Sequence, residues 1–510
     1  MAVSEETFNK MVEQNAKLLE QVEQLTEQVA YLTHKMYGRH SKKMDDPNQQ
    51  SLFGDSGVFT EPEQTGEQSE NSEGSEINGK RRAKQKRLEI ISANLPEEDK
   101  VYRRQSERCD QGHQLVKVGR HFVRQEVRLI PGRLYKENIY EETYKCTDCE
   151  RVDGISHMYQ GKAPTALIAH SFASTSLVAE VGYHKFVLGT PLYRQQGYWK
   201  NQGLALSDKT MGNWVMAGAK IMRPLYQLLH KKTMGQRFLQ GDETPYQVLH
   251  EPGKAPTSKS YVWVARTISR SEMPVVYYHY SPSRAGKVAQ QLYSGFTGVL
   301  QCDGYYGYNA IADAVEHVGS WARVRRKFFD DANADKRHFR PSVGLSLINQ
   351  MSKLEQQWRE LPGDPRRQAR QRELAPLIKQ FWEWCDQVGV LPKTRLGKAV
   401  AYARGQRAAL NRVLDYGEID FTNNASERNM KSYVIGRKNW LFSTSPKGAE
   451  ANAIWMTIIQ SAKANGINER EYIEFLLEHI SQLPTFAKDS ELETYLPWNY
   501  TVPSKIEAGA

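Results

Sequence analysis

The first apolar pattern along the chain has alternating steps of three and four: Phe8, Met11, Leu18, Val22, Leu25, Val29, Leu32 and Met36, with Asn15 in the same series. This is a heptad seam over about four heptads, with neither Gly nor Pro until Gly38. With Asn15, Val22 and Val29 at a positions and Leu18, Leu25 and Leu32 at d positions, the spacing predicts a parallel dimeric coiled coil. The buried Asn15 would fix register and strand number at a cost in stability. An amphipathic helix folded back on its own core fits the same positions.

The pattern downstream is mixed. Ala163 to Leu188 and Ser207 to Leu229 read as helices, with Ser207 placed to cap the second; they form a helix–turn–helix or an ordinary helical pair. Phe238 to Pro245, Tyr261 to Ile268, Pro274 to Tyr280 and Gly298 to Asp303 are apolar, β-branched or aromatic runs and read as strands, with a helix from about Arg284 to Tyr293 before the last. Three strands, a helix and a fourth strand resemble the start of an RNase H-like fold. Further helices are expected around Leu345 to Trp358, Leu374 to Val388 and Leu396 to Leu414. One from Gly448 to Asn465 carries Ala453, Ile454, Met456, Ile458 and Ile459 as core residues.

Charge sharpens this outline. Across 510 residues, 69 Lys and Arg face 59 Asp and Glu, a net charge of +10 that fits a polyanionic partner. The surplus is uneven. Residues 44–79 hold nine acids and no Lys or Arg, the composition of a disordered linker, and six of the eight residues from Lys80 to Arg87 are basic. Residues 322–372 hold 13 basic against 6 acidic residues. No run approaches the roughly 20 apolar residues of a membrane span, and the N-terminus lacks the basic-then-apolar layout of an export signal. Five Cys form no disulfide framework, so a reducing compartment is expected.

Cys146 and Cys149 form a C-x-x-C pair, and Cys109 with His113 could supply the other half of a tetrahedral zinc site. The set is either a Cys₃His site or a metal-free remnant with free thiols. Strands are expected between its halves, from Phe122 to Leu129 and from Leu134 to Tyr144.

The candidate chemistry lies in three acids. Asp242 and Asp303 fall at strand ends 61 residues apart, and neighbouring carboxylates are costly unless a cation screens them. Mg²⁺ or Mn²⁺ held by such acids suits phosphoryl transfer. Glu427 lies in Asn423-Asn-Ala-Ser-Glu-Arg428, where Asn424 and Glu427 also fit a capping box. That local reading leaves Arg428, Lys431, Arg437 and Lys438 around Glu427 unexplained, whereas phosphate contact explains them.

Gly241-Asp-Glu-Thr244, Asp303-Gly-Tyr-Tyr-Gly-Tyr308, Trp321-Ala-Arg-Val-Arg-Arg-Lys-Phe328, Asn423 to Arg428 and Ile435-Gly-Arg-Lys-Asn-Trp-Leu-Phe442 together resemble the IS66 family of DDE transposases, over nearly the whole chain. The resemblance implies a metal-binding triad of Asp242, Asp303 and Glu427 and small accessory proteins of the same element; the basic charge beside those acids and in the insertion is read as contacting DNA, at Arg323, Arg325, Arg326, Lys327, Arg428, Lys431, Arg437 and Lys438. Thr422, Ser320 and Arg323 depart from the family's usual Asp, Cys and His.

The fold expected is therefore α/β, with an RNase H-like mixed-sheet core. The chain would divide into a dimerising coiled coil (1–43), an acidic linker ending in a basic run (44–87), a zinc-ribbon-like module (88–160), a helical DNA-binding or linker region (161–235), a catalytic domain (236–465) interrupted by a helical insertion at about 328–420, and a C-terminal helical element (466–510). The expected function is cutting double-stranded DNA at element ends and joining 3′-hydroxyls to a target, in a bacterial cytoplasm at the nucleoid. A nuclease or resolvase of the same fold, or an inactive DNA-bridging protein, are the alternatives.

Overall fold

The computed structural model describes residues 132, 134–146, 157–160, 163–334, 341–422, 424–484 and 486–501. The chain divides into two units, Arg39–Lys136 and a second made of Met1–Gly38 with Glu137–Ala510. The elements below belong to the second. The heptad seam, the acidic linker with its basic run, Cys109, His113 and Cys149 lie outside the described residues.

Strands β1 (Thr143–Cys146) and β2 (His157–Gln160) pair antiparallel. The longer strand expected from Leu134 is not formed: residues 134–142 are irregular, and Leu134, Tyr135, Ile139 and Tyr140 are exposed. Alternation without a partner face to bury does not make a strand. Helices α1 (Thr175–Phe186), α2 (Leu192–Asn201) and α3 (Asp208–Met234) follow. The helix expected from Ala163 begins only at Thr175, because Ser174 caps it, its hydroxyl accepting from the Leu177 N–H at 3.2 Å. Ser207 caps α3 in the expected way, accepting from the Thr210 N–H at 3.1 Å.

The central sheet has five strands: β3 (Phe238–Gln247), β4 (Lys259–Thr267), β5 (Val276–Ser281), β6 (Val299–Cys302) and β7 (Glu316–Gly319). Their spatial order is β5-β4-β3-β6-β7. The first three make antiparallel hairpins; α4 (Gly286–Leu292) then crosses over to place β6 parallel to β3, and β7 parallel to β6. The short β7 has no counterpart in the pattern reading, because four residues are too few to show a period.

After β7 the chain leaves the sheet for a helical insertion: α5 (Trp321–Ala332), α6 (Val343–Gln357), α7 (Gly363–Ala369), a π-turn at Arg370–Leu374, α8 (Ala375–Gln387), α9 (Arg395–Gly405) and α10 (Arg407–Asn411). It has its own core, including Trp321, Phe328, Leu345, Ile348, Met351, Phe381 and Val400. The insertion starts at Trp321 rather than near 328, since Trp321 stacks on Phe421 (5.6 Å, 7° between planes) and donates its backbone N–H to the Phe421 carbonyl at 3.3 Å. Entry and exit therefore meet, and about 100 residues can intervene without moving the flanking sheet elements apart.

Part of the positive charge here is structural. Arg370 is fully buried and pairs with Glu355 (2.6 and 2.9 Å), and also donates to the Val413 and Ile419 carbonyls at 3.1 and 2.9 Å. Arg366 joins the same carboxylate at 2.7 Å.

Helices α11 (Asn424–Trp440), α12 (Pro446–Ala464), α13 (Glu469–Ile480) and α14 (Asp489–Leu492) complete the unit. The expected core residues of α12 are all buried. Among the described residues no helix is long and apolar enough to cross a membrane.

Candidate active site at the strand ends

Asp242 lies within β3, and Asp303 directly follows β6. The two strands are parallel neighbours in the register Gln240 opposite Gln301, so both aspartates fall one step further along the same face. Glu427 comes from the first turn of α11, where the helix dipole favours an acid. Asn424 is the first residue of the helix itself rather than the cap expected from the sequence. Glu427 instead pairs with Arg326, at 2.9 Å.

The three acids share one electrostatic environment. Burial pushes the Asp242 carboxyl up to about 8, and the charges of Glu243, Asp303 and Glu427 push the same way. A hydrogen bond from the Glu243 N–H (2.9 Å) opposes them only in part. Asp303, 7% exposed, accepts the Tyr305 N–H at 2.9 Å and pairs with Arg323. Arg323 and Arg326 are three residues apart on α5, so one helix presents a guanidinium to each of two acids.

Glu243, next to Asp242, points to the opposite face of β3. There it accepts from the Tyr308 hydroxyl (2.7 Å) and from Arg284 Nε (3.0 Å). Burial and Asp303 hold its carboxyl above the usual range even so. Gly241 is dictated by the same packing: a Cβ there would lie 2.5 Å from the Tyr293 hydroxyl. Tyr308 was visible only as the end of the motif from Asp303 and Arg284 only as the start of an expected helix, because their pairing with Glu243 is made across the fold.

In residue chemistry, the three all-oxygen acids suit a hard divalent cation such as Mg²⁺ or Mn²⁺. The side chains as arranged do not form a ligand cage: among the described residues no group of three His, Cys, Asp or Glu is placed to hold a metal ion. Asp303 and Glu427 each face a guanidinium instead.

The other basic candidates divide. Arg325 donates to Asn349 at 2.9 Å, and Lys327 lies over the Tyr402 ring at 4.8 Å. Arg437 is half-buried and donates to the Pro245 carbonyl, tying α11 to β3. Arg428 and Lys438 are exposed, and burial together with Lys438 lowers the Lys431 pKa. Of the four zinc candidates, Cys146 alone falls in a described strand.

Comparison with known proteins agrees with the site's setting. A family described as "Transposase IS66 family" matches residues 170–451, a span that contains all three acids and the insertion. A second, "Transposase C of IS166 homeodomain", matches residues 24–99. The chain is 28% identical over 474 residues to "Uncharacterized protein y4jD" of Sinorhizobium fredii, covering 89% of this chain and 90% of that protein. It is 26% identical over 413 residues to "Uncharacterized protein y4hP" of the same organism, covering 77% and 73%. With more than half its length matched, the chain belongs to the IS66 family of transposases.

Proposed function

We propose that this transposase cuts DNA at the ends of its element and joins the freed 3′-hydroxyls to target DNA, with Asp242, Asp303 and Glu427 at the reacting centre. The observation that carries the reading is convergence: Asp242 and Asp303 sit side by side on parallel neighbouring strands, and Arg323 and Arg326, one turn apart on α5, pair with Asp303 and with Glu427, 124 residues further on. Such crowding of like charge costs stability and is kept where chemistry uses it. The strand order β5-β4-β3-β6-β7, three antiparallel strands and then two parallel ones, supports reading the core as RNase H-like. A divalent cation, Mg²⁺ or Mn²⁺, held by the three acids would activate the attacking oxygen and stabilise the leaving one.

The chain's own residues would bind and orient the DNA. Arg323 and Arg326 are within reach of both the acids and any phosphate brought to them, and exposed Arg428 and Lys438 extend the basic surface along α11. Double-stranded DNA is the partner, residues 8–36 pair two copies, and a Cys₃His zinc site of Cys109, His113, Cys146 and Cys149 would brace the module at 88–160.

A strand-transfer assay in Mg²⁺ with a 3′-hydroxyl end tests this. Wild-type protein should join the end to target, while D242N, D303N and E427Q should bind ends without cutting. Cutting without joining would favour a nuclease or resolvase, and binding alone an inactive bridging protein. Retained cleavage in all three variants would sink the assignment of the acids.

A further inference from the structure

One step below the carboxylates on the same sheet face runs a second row of polar side chains. The register places Gln301 of β6 opposite Gln240 of β3, and Gln240 opposite Arg266 of β4. Both glutamines are 0% exposed. Gln240 Nε2 donates to Gln301 Oε1 at 2.8 Å, and Gln301 Nε2 donates to the Asp420 carbonyl at 2.6 Å. Arg266, half-buried, donates to Asn429 Oδ1 at 2.8 Å, and the Tyr278 hydroxyl donates to the Asn429 carbonyl at 2.7 Å.

These bonds fall in a telling order along the chain. Asp420 lies seven residues before Glu427 and Asn429 two residues after it, so the row grips the Glu427 segment from both sides. Gln240 and Gln301 each lie two residues before a strand aspartate. One buried row thus connects all three acid-bearing elements.

Packing alone does not explain it. Two leucines would fill a buried strand pair without desolvating amides, yet here the amide oxygen of Gln240 has no hydrogen-bond partner among the described residues. A buried polar network kept at such a cost supplies direction, which apolar contacts do not.

We propose that Gln240, Gln301 and Arg266 are positioning residues that set Glu427 against Asp242 and Asp303, and so determine the cleavage rate without touching DNA. The inference rests on the reaction proposed above. Misplacement of a reacting group by about 1 Å can cost on the order of a hundred-fold in rate, so the bonds need shift only slightly to matter.

The test is single-turnover cleavage of end DNA by the full chain, with Kd for that DNA and Tm measured alongside. Q301L should slow cleavage by about ten-fold or more with Kd within about two-fold, and should lower Tm. Q240L/Q301L removes the orphaned amide and makes an apolar pair, leaving only the Asp420 carbonyl without its donor; Tm should recover in large part while the rate stays low. R266M, which releases Asn429 from the other side, is an independent arm and should slow cleavage in the same way. Recovery of rate together with Tm in the double variant, or wild-type rates in all three, would overturn the positioning role. Wild-type protein that binds ends but never cuts them would instead overturn the proposed reaction, and this role with it.

Discussion

Arg323 and Arg326 pair with Asp303 and Glu427, so under the reaction proposed above guanidinium and metal would compete for the same oxygens. Replacing both by Gln should raise Mn²⁺ affinity of the DNA-free protein by about ten-fold, because the acids lose their counter-charges. A manganese EPR titration would show it; unchanged affinity would mean that the arginines do not exclude the ion. The motif Trp321 to Phe328 was legible as basic, but which acids its arginines meet was not, since Arg326 and Glu427 are 101 residues apart. Lys185 is a second case. It is buried over the Trp440 ring at 4.6 Å, and desolvation lowers its pKa to about 8. Lys185→Met should therefore stabilise the protein by about 1–3 kcal/mol near neutral pH. Because the unfolded lysine binds its proton up to about 10.5, wild-type stability should gain on that of the variant as pH rises from about 8 to 10.5. Urea unfolding of both proteins across that range checks the sign.

At the scale of elements, strands and helices with a clear period were readable, and the ones that escaped were short or depended on partners. The edge strand β5 shows what pattern leaves out. Among the described residues no strand pairs with its outer N–H groups; the Tyr278 N–H donates to the Thr457 hydroxyl at 2.9 Å and the Val276 N–H to the Ser461 hydroxyl at 3.1 Å. In sequence, α12 is simply an apolar helix with two hydroxyl residues a turn apart. In the fold those hydroxyls close a sheet edge that would otherwise be open to pairing. Thr457→Val keeps shape and apolar burial but orphans the Tyr278 N–H, and should cost about 1–3 kcal/mol in equilibrium unfolding. A variant as stable as wild type would show that another acceptor takes over.

For the whole molecule, the heptad seam predicts that self-association resides in the N-terminal segment. A chain lacking residues 1–43 should sediment as a monomer where the full chain is dimeric or larger, and an unchanged mass would place the contact elsewhere. The net charge of +10 also reads differently once the fold is known. Arg366 and Arg370 are buried against Glu355, and Arg323 and Arg326, though partly exposed, are paired with candidate acids, so a residue count overstates the basic surface free to meet DNA. The sequence by itself determined the strand and helix types and the family, and it singled out three candidate acids, because periodicity and motifs are local or nearly so. Tertiary structure alone decided where the insertion closes, which arginines neutralise which acids, and that Gln240, Gln301 and Arg266 share one row beneath them. Those are relations between residues 20 to 163 positions apart, fixed by strand register and by the Trp321–Phe421 closure, and no short window along the chain contains both partners.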